Sequence, residues 1–284
     1  MSKEIELTIG LPLFNEEKKI NFVLEKIFSQ KYQNFNLIIS DNASTDNTFQ
    51  ICNEWAKKNK NIELIKQKQK LNINENFYFI YTKVKTKYFM WIAADDERSE
   101  DFIIKNIEFL DNNLNYIASS SINYVEMKDK KKTKVDFDII GCTDQRYIKF
   151  LKNCFFSHGV FYSIFRTINL ENTEQYLDYM AWDWIVNLTI LKNGSFNRLK
   201  EGHFNSVYGG TSTKKEYIYN KKKNEIFKFF PFLKFMIIFY QFYFRCNFKF
   251  KDFFKSLNIF YRIHKKYFIN YIKEKVYARS VKKN

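Results

Sequence analysis

"IGLPLFNEEKKINFVLEKIFSQKYQNFNLIISDNASTDNT", residues 9–48, changes its periodicity twice. It continues an apolar run that begins at Ile5 and reads as a strand to Gly10. Ile20, Val23, Leu24, Ile27 and Phe28 then recur at helical spacing. Phe35 to Ser40 forms a second apolar run, which ends in Asp41-Asn42-Ala43-Ser44. Ser44-Thr45-Asp46 predicts a helix start, because such side chains accept the first free backbone N–H groups.

The pattern repeats downstream. Ile62 to Ile65 reads as a third strand, Asn76 to Val84 as a helix, and a fourth strand starts at Tyr88. Strand and helix alternating through short connections predict a parallel sheet covered by helices. Ligands bind beyond the carboxyl ends of the strands in such sheets. Pro12 to Glu16, Asp41 to Ser44 and Asp95 to Glu97 fall at those ends. In "YFMWIAADDERSEDF", residues 88–102, an apolar run leads straight into Asp95-Asp96-Glu97. Adjacent carboxylates repel, and a divalent cation that prefers oxygen ligands would relieve them. The competing reading is an acidic turn, with Ser99 capping a helix that carries Glu100 and Asp101 in its first turn.

At 284 residues the chain can bury one large or two modest domains, and its 45% hydrophobic content excludes a disordered chain. Cys52, Cys142, Cys154 and Cys246 show no close pairing, and no secretory signal precedes Ile5. Free thiols in a reducing compartment are expected, not a disulfide or zinc framework. The abundance of Lys, Asn, Ile, Phe and Tyr matches an AT-rich genome and explains many residues without function. Charge is uneven: residues 213–284 carry 19 basic against 4 acidic side chains, while the first 212 are nearly neutral. The same last 72 residues hold 22 of the 55 aromatics. A globular body followed by a basic, aromatic tail is expected.

Residues 9–48, with "LNINENF" (71–77) and "AADDE" (93–97), resemble the opening of family-two glycosyltransferases with the GT-A fold. The likeness runs on through "AWDWIVNLTILKNG" (181–194) and "VYGGTS" (207–212), covering about residues 5–212. It implies an α/β, Rossmann-like GT-A catalytic domain over 1–212 and a helical extension over 213–284. The nucleotide-sugar half would be about 1–97 and the acceptor half about 98–212. It implies that Asp41 accepts a hydrogen bond from a uracil-like base, although Asn42 and Ala43 replace the usual Asp and Gly. Pro12, Phe14, Asn15 and Glu16 would line the nucleoside pocket, and Asn76 and Asp95 would approach the sugar nucleotide. Asp95 and Asp96 correspond to the metal-binding acidic motif, with Ala93 where another Asp is common. They would hold magnesium or manganese, and His203 is a further candidate for metal or diphosphate.

The reaction implied is inverting transfer of a sugar from a nucleotide-diphosphate donor, expected to be a UDP-sugar, to a growing glycan. The acceptor expected is a lipid-linked bacterial surface polysaccharide or lipooligosaccharide. Asp183 is the candidate general base and Asp178 its nearest rival. Trp182, Trp184 and His158 are candidates for the acceptor side, the last within a segment resembling the family's acceptor-side strand. For each tryptophan, core packing is the competing reading.

The apolar run 226–244 is about long enough to span a bilayer, but Lys228, Pro231, Lys234 and Gln241 interrupt it. Spacings of 7, 4 and 7 place Lys234, Gln241, Arg245 and Asp252 on one face of a continuous helix, with Phe235, Phe239 and Phe242 over the rest. Such a helix suits the anionic inner face of the cytoplasmic membrane, and packing on the body is the alternative. "KDKKKTK" (128–134) reads as a solvated hairpin tip. Two other function classes remain. A sugar nucleotidyltransferase would need a Gly-rich basic phosphate loop that "LPLFNEEKK" lacks. A non-catalytic protein could bind membrane or nucleic acid through its basic aromatic tail, yet no nucleic-acid module is recognisable.

Overall fold

A computed structural model describes residues 4–127, 129–156, 158–179, 181–207, 232–246 and 249–281. Residues 208–212 of the "VYGGTS" match, 226–231 of the apolar run and Lys128 lie outside that set. The chain divides into two compact units, Met1–Ile140 with Phe155–Tyr208, and Gly141–Cys154 with Gly209–Asn284.

The first unit begins with β1 (Leu7–Leu13), α1 (Ile20–Phe28), β2 (Phe35–Asp41), α2 (Thr48–Lys58), β3 (Ile62–Lys66), α3 (Ile73–Tyr81) and β4 (Tyr88–Trp91). It continues with β5 (Glu97–Arg98), α4 (Phe102–Asn112), β6 (Tyr116–Glu126) and β7 (Lys132–Val135). After α5 (Thr143–Asn153), which belongs to the second unit, come α6 (His158–Phe161), β8 (Ile164–Arg166), α7 (Trp182–Asn193) and β9 (Ser195–Val207). The strands form one sheet in the order β3-β2-β1-β4-β8-β6-β9-β5, with β7 beside β6. The run β3-β2-β1-β4 is parallel, whereas β8 and β5 join antiparallel to their neighbours. Every residue of β1 except Pro12 is buried, as expected of a strand with both faces covered by helices. Pairing of β1 with β4 ends at Gly10 opposite Trp91, so Pro12 lies past that ladder, where a missing N–H costs little.

The local signals that start helices are partly different from those expected. α3 begins at Ile73, ahead of Asn76, because Asn72 and Glu75 form a reciprocal capping box. At α2 it is Asp46 that accepts from Thr48 N (3.0 Å) and its hydroxyl (2.6 Å). Ser44 Oγ instead accepts from Asn15 N at 2.9 Å. Ser99 does not cap α4 with its side chain; its hydroxyl accepts from His203 N at 3.0 Å. β6 and β7 form the expected hairpin, with Lys130 at φ +62° in its tip.

At Gly10 β1 lies tightly against Ile80 and Phe89. A Cβ there would lie 2.7 Å from Ile80 Cγ2 and 2.9 Å from the Phe89 ring. Gly10→Ala is therefore expected to destabilise by about 1–3 kcal/mol through overpacking. Urea unfolding at unchanged slope would measure it, and a midpoint equal to wild type would contradict the packing described.

In the second unit α8 (Leu233–Tyr243) and α9 (Phe250–Val281) join α5 around an aromatic core. Phe239 stands 6.2 Å from Tyr147 of α5 and 5.4 Å from Phe260 of α9, between ring centroids. The Tyr240 and Ser256 hydroxyls are bonded at 2.9 Å. The tail differs from the expected continuous helix, because the chain leaves helical geometry between Tyr243 and Phe250. Lys234 and Gln241 stay on α8, Arg245 lies between the helices and Asp252 belongs to α9, so no single face carries all four. Phe235 and Phe239 are fully buried in this unit's core and are not available to lipid. No helix among the described residues is long and apolar enough to cross a membrane.

Candidate active site

The loops after β1 and β2 are built as one piece. Asn15 takes the left-handed conformation (φ +55°), and its Oδ1 accepts from Thr45 N at 2.9 Å. Glu16 N donates to Thr48 Oγ1 at 2.7 Å, and Glu17 N to Asp46 at 3.2 Å. Ala43 also has a positive φ, +56°, where glycine would be unstrained. Asn42 bonds Leu71 in both directions, accepting from its N at 2.7 Å and donating to its O at 3.0 Å. An aspartate could not make that second bond, which accounts for Asn at this position. Phe14 lies beneath Lys70, whose Nζ is 3.6 Å from the ring centre.

Asp41 ends β2 and is fully buried. Its Oδ2 accepts from Ser44 N at 3.2 Å, while Oδ1 has no hydrogen-bond partner. A buried acceptor left open is costly unless a ligand completes it. Asn76 behaves otherwise, and its expected approach to the sugar nucleotide is corrected. It is buried within α3, where its Oδ1 accepts from Ser40 Oγ (2.6 Å) and its Nδ2 donates to Ser40 O (3.2 Å). Both ends are used in tying α3 to β2.

Beyond β4 the acidic pair separates. Asp95 is exposed. Asp96 is 5% exposed in its side chain and faces Arg98 Nη2 at 3.8 Å. Burial pushes the Asp96 carboxyl up to about 7, with Arg98 opposing and Asp95 adding to the rise. Arg98 is held by β5, whose pairing with β9 puts it opposite Phe204. Its guanidinium lies 4.5 Å from the Phe204 ring centre and donates to the carbonyls of Trp91 and Tyr162, both at 3.4 Å. Glu97 pairs with Lys26 at 3.5 Å. His203 holds Ser99 by its backbone N and O. Among the described residues no three His, Cys, Asp or Glu side chains gather to form a metal cluster. The acidic loop fits an ion held by one or two carboxylates and completed by substrate oxygens and water.

Asp183 is the second residue of α7. Burial raises its pKa to about 7, and the backbone N–H groups of Asp183 and Trp184 at the helix start act the other way. The segment before α7 is anchored by Asn74 of α3, which donates to Leu177 O (2.7 Å) and Tyr179 O (2.9 Å). Asp178 is exposed in that segment. The tryptophans are corrected to core residues. Trp182 is 1% exposed, with its indole N–H on Thr173 O at 3.2 Å, and Trp184 is 8% exposed. Neither presents a face to an acceptor sugar. His158 opens the single turn of α6, and the strand of its segment begins only at Ile164.

Two residues that the sequence did not single out join the clusters. Arg98 is one. Tyr162 is the other: burial raises its hydroxyl pKa well above the ordinary value, and Asp96, Asp95 and Asp183 push the same way. The acidic pair and the helix-start aspartate therefore all act on the hydroxyl of one side chain.

The loops at the carboxyl ends of β1, β2 and β4, with an open buried acceptor at Asp41, lie where α/β proteins of the doubly wound type bind their ligands. The sequence profile of glycosyl transferase family 2 matches residues 8–171. The chain belongs to that family, and its fold is GT-A. A relative from Methanococcus voltae, dolichyl N-acetyl-alpha-D-glucosaminyl phosphate 3-beta-D-2,3-diacetamido-2,3-dideoxy-beta-D-glucuronosyltransferase, is 27% identical over 237 residues, 74% of this chain and 68% of that protein. The teichoic acid poly(glycerol phosphate) polymerase of Staphylococcus epidermidis is 34% identical over 114 residues, 40% of this chain, and the match spans only 16% of the polymerase. Among solved structures, S. aureus TarS 1-349 superposes with a TM-score of 0.63 at 15% identity, over 90% of this chain and 70% of that one. The mannosyltransferase PcManGT from Pyrobaculum calidifontis, solved with GDP-Man and Mn2+, gives 0.58 at 13% identity, over 98% of this chain and 76% of that one.

Proposed function

We propose that the protein is an inverting, metal-dependent glycosyltransferase that moves a sugar from a UDP-sugar to a growing, lipid-linked surface glycan. The observation that carries this reading is the open buried acceptor of Asp41 at the end of β2 together with the exposed carboxylate of Asp95 beyond β4, at the carboxyl ends of the two strands that flank β1. An acceptor for a nucleotide base together with a carboxylate for a metal supports a nucleotide-sugar site, with Asp183 of α7 as the general base we assign to the acceptor side. Asp183 accepts the proton of the acceptor hydroxyl, whose oxygen attacks the anomeric carbon as the bond to the diphosphate breaks. One displacement with no covalent intermediate inverts the centre. Asp95 is the exposed carboxylate that would hold manganese or magnesium, which supplies Lewis-acid relief of charge on the departing diphosphate. Asp96, turned to Arg98, shapes the loop. TarS, a neighbour in fold, has been solved with UDP-GlcNAc. The name of the Methanococcus voltae relative, a dolichyl-phosphate glycosyltransferase, supports a lipid-linked acceptor, which the enzyme would meet at the inner membrane face.

The nucleotidyltransferase alternative is disfavoured by the loop after β1. The amides of Asn15, Glu16 and Glu17 are already bonded to Ser44, Thr48 and Asp46, which leaves no row of N–H groups to cradle a triphosphate.

A thermal-shift screen of UDP- and GDP-sugars, with and without manganese, tests the reading, because ligands of the native state raise its melting temperature. The expected result is a manganese-dependent rise with a UDP-sugar. Asp41→Asn should weaken that binding about 10- to 100-fold, the worth of one charge-assisted hydrogen bond. Unchanged uridine-nucleotide affinity in the variant would remove Asp41 from the base site.

A further inference from the structure

We propose that an exposed row of large apolar side chains on α9, with a basic row beside it, is the surface that docks on an anionic phospholipid bilayer. This rests on the membrane-face placement proposed above and names the residues that would make it. The row differs from the one the sequence pointed to, since Phe235 and Phe239 of α8 are buried.

Phe250, Phe254, Leu257, Tyr261 and Phe268 are spaced by 4, 3, 4 and 7 residues. At ~100° per residue they fall within an arc of about 60° on α9. They are 72, 64, 37, 63 and 40% exposed. The buried face of the helix is a different one, formed by Ser256, Phe260, Ile263 and His264. Lys251, Arg262 and Lys265 are exposed and occupy the arc next to the apolar row. The helix thus has a packed face, an apolar row and a cationic row.

A helix that merely covered a core would present polar residues to water in place of three aromatics and a leucine within three turns. Large contiguous apolar exposure marks an interaction surface. The neighbouring cations choose the partner. Residues 213–284 carry a net charge of +15, which complements an anionic surface. Row length also fits: Phe250 to Phe268 extends about 27 Å at 1.5 Å per residue, lying along an interface and not through it. Tyr261 suits the headgroup level, and the lysines can extend their stems past the apolar row to the phosphates.

The test uses the full chain and vesicles of phosphatidylglycerol with phosphatidylcholine, against phosphatidylcholine alone. Wild type should sediment with the anionic vesicles and much less with the neutral ones. Phe254→Ser with Leu257→Ser and Tyr261→Ser should lower partitioning by at least about tenfold. Lys251→Gln with Lys265→Gln should lower it about 25-fold on anionic vesicles, near fivefold per charge, and little on neutral ones. UDP-sugar thermal shifts should match wild type in both. If the triple variant does not fold, Phe254→Trp serves instead, and the fluorescence it adds to wild type should shift to the blue when anionic vesicles are added.

Failure of wild type to bind either vesicle would overturn the membrane placement as well as this surface. Binding by wild type and both variants alike would overturn the surface alone, as would an unshifted indole signal from the Phe254→Trp variant. Tighter binding to single-stranded RNA than to vesicles at matched ionic strength would also overturn it. So would a dimer that the triple variant abolishes in the absence of lipid.

Discussion

Asp183→Asn is expected to lower kcat by about two to four powers of ten, the usual contribution of a positioned general base. Donor affinity should change little, because the carboxylate serves the acceptor. The raised pKa of Asp183, about 7, adds a second signature. The base must be ionised to act, so kcat/KM should rise with pH through about 7 in the wild type and lose that limb in the variant. Stability should move the other way. A carboxyl whose folded pKa is raised above the unfolded ~3.9 favours the folded state most below ~3.9, and that stability is lost as pH climbs through about 7. Asn carries no such penalty. The variant should therefore be more stable than wild type at pH ~8, by something on the order of a few kcal/mol and so with a higher melting temperature, and the difference should vanish near pH ~4. Loss of donor binding, or a melting difference of opposite sign, would make Asp183 a structural residue and direct attention to exposed Asp178.

The second large effect separates two neighbours. Asp95→Asn should abolish manganese-dependent nucleotide binding and lower kcat/KM about a thousandfold or more, as several kcal/mol of charge stabilisation are lost. Asp96→Asn should leave manganese-dependent binding nearly intact, because its carboxylate is buried beside Arg98 whereas that of Asp95 is exposed. Titration calorimetry of manganese in the presence of UDP would read both. If the two variants lose the metal equally, the ion bridges both carboxylates and the loop must rearrange when it binds.

The sequence alone was enough for the alternation of elements and for where its polar loops lie. Periodicity is local: Ile20 to Phe28 repeat at helical spacing and form α1, and the apolar run from Phe35 forms β2. The start of α2, where Asp46 accepts from Thr48, and the acidic ending of β4 are likewise carried by neighbours in the chain. Burial is not local, and there the reading needed the fold. The sequence leaves Trp182 open between core and acceptor side and Asn76 between turn chemistry and ligand, but Trp182 packs 6.2 Å from Trp91 and Asn76 is tied to Ser40. Asp95 and Asp96 are adjacent and chemically identical. Only the pairing of β5 with β9, more than a hundred residues away, sets Arg98 beside the second and leaves the first to solvent. The charge boundary near residue 213 gave no sign that residues 141–154 belong with the tail. Nor did it show that α8 would spend its aromatics on α5 and α9, leaving the exposed row to α9. Those choices depend on which surfaces meet, and contacts between distant segments are decided by the tertiary structure.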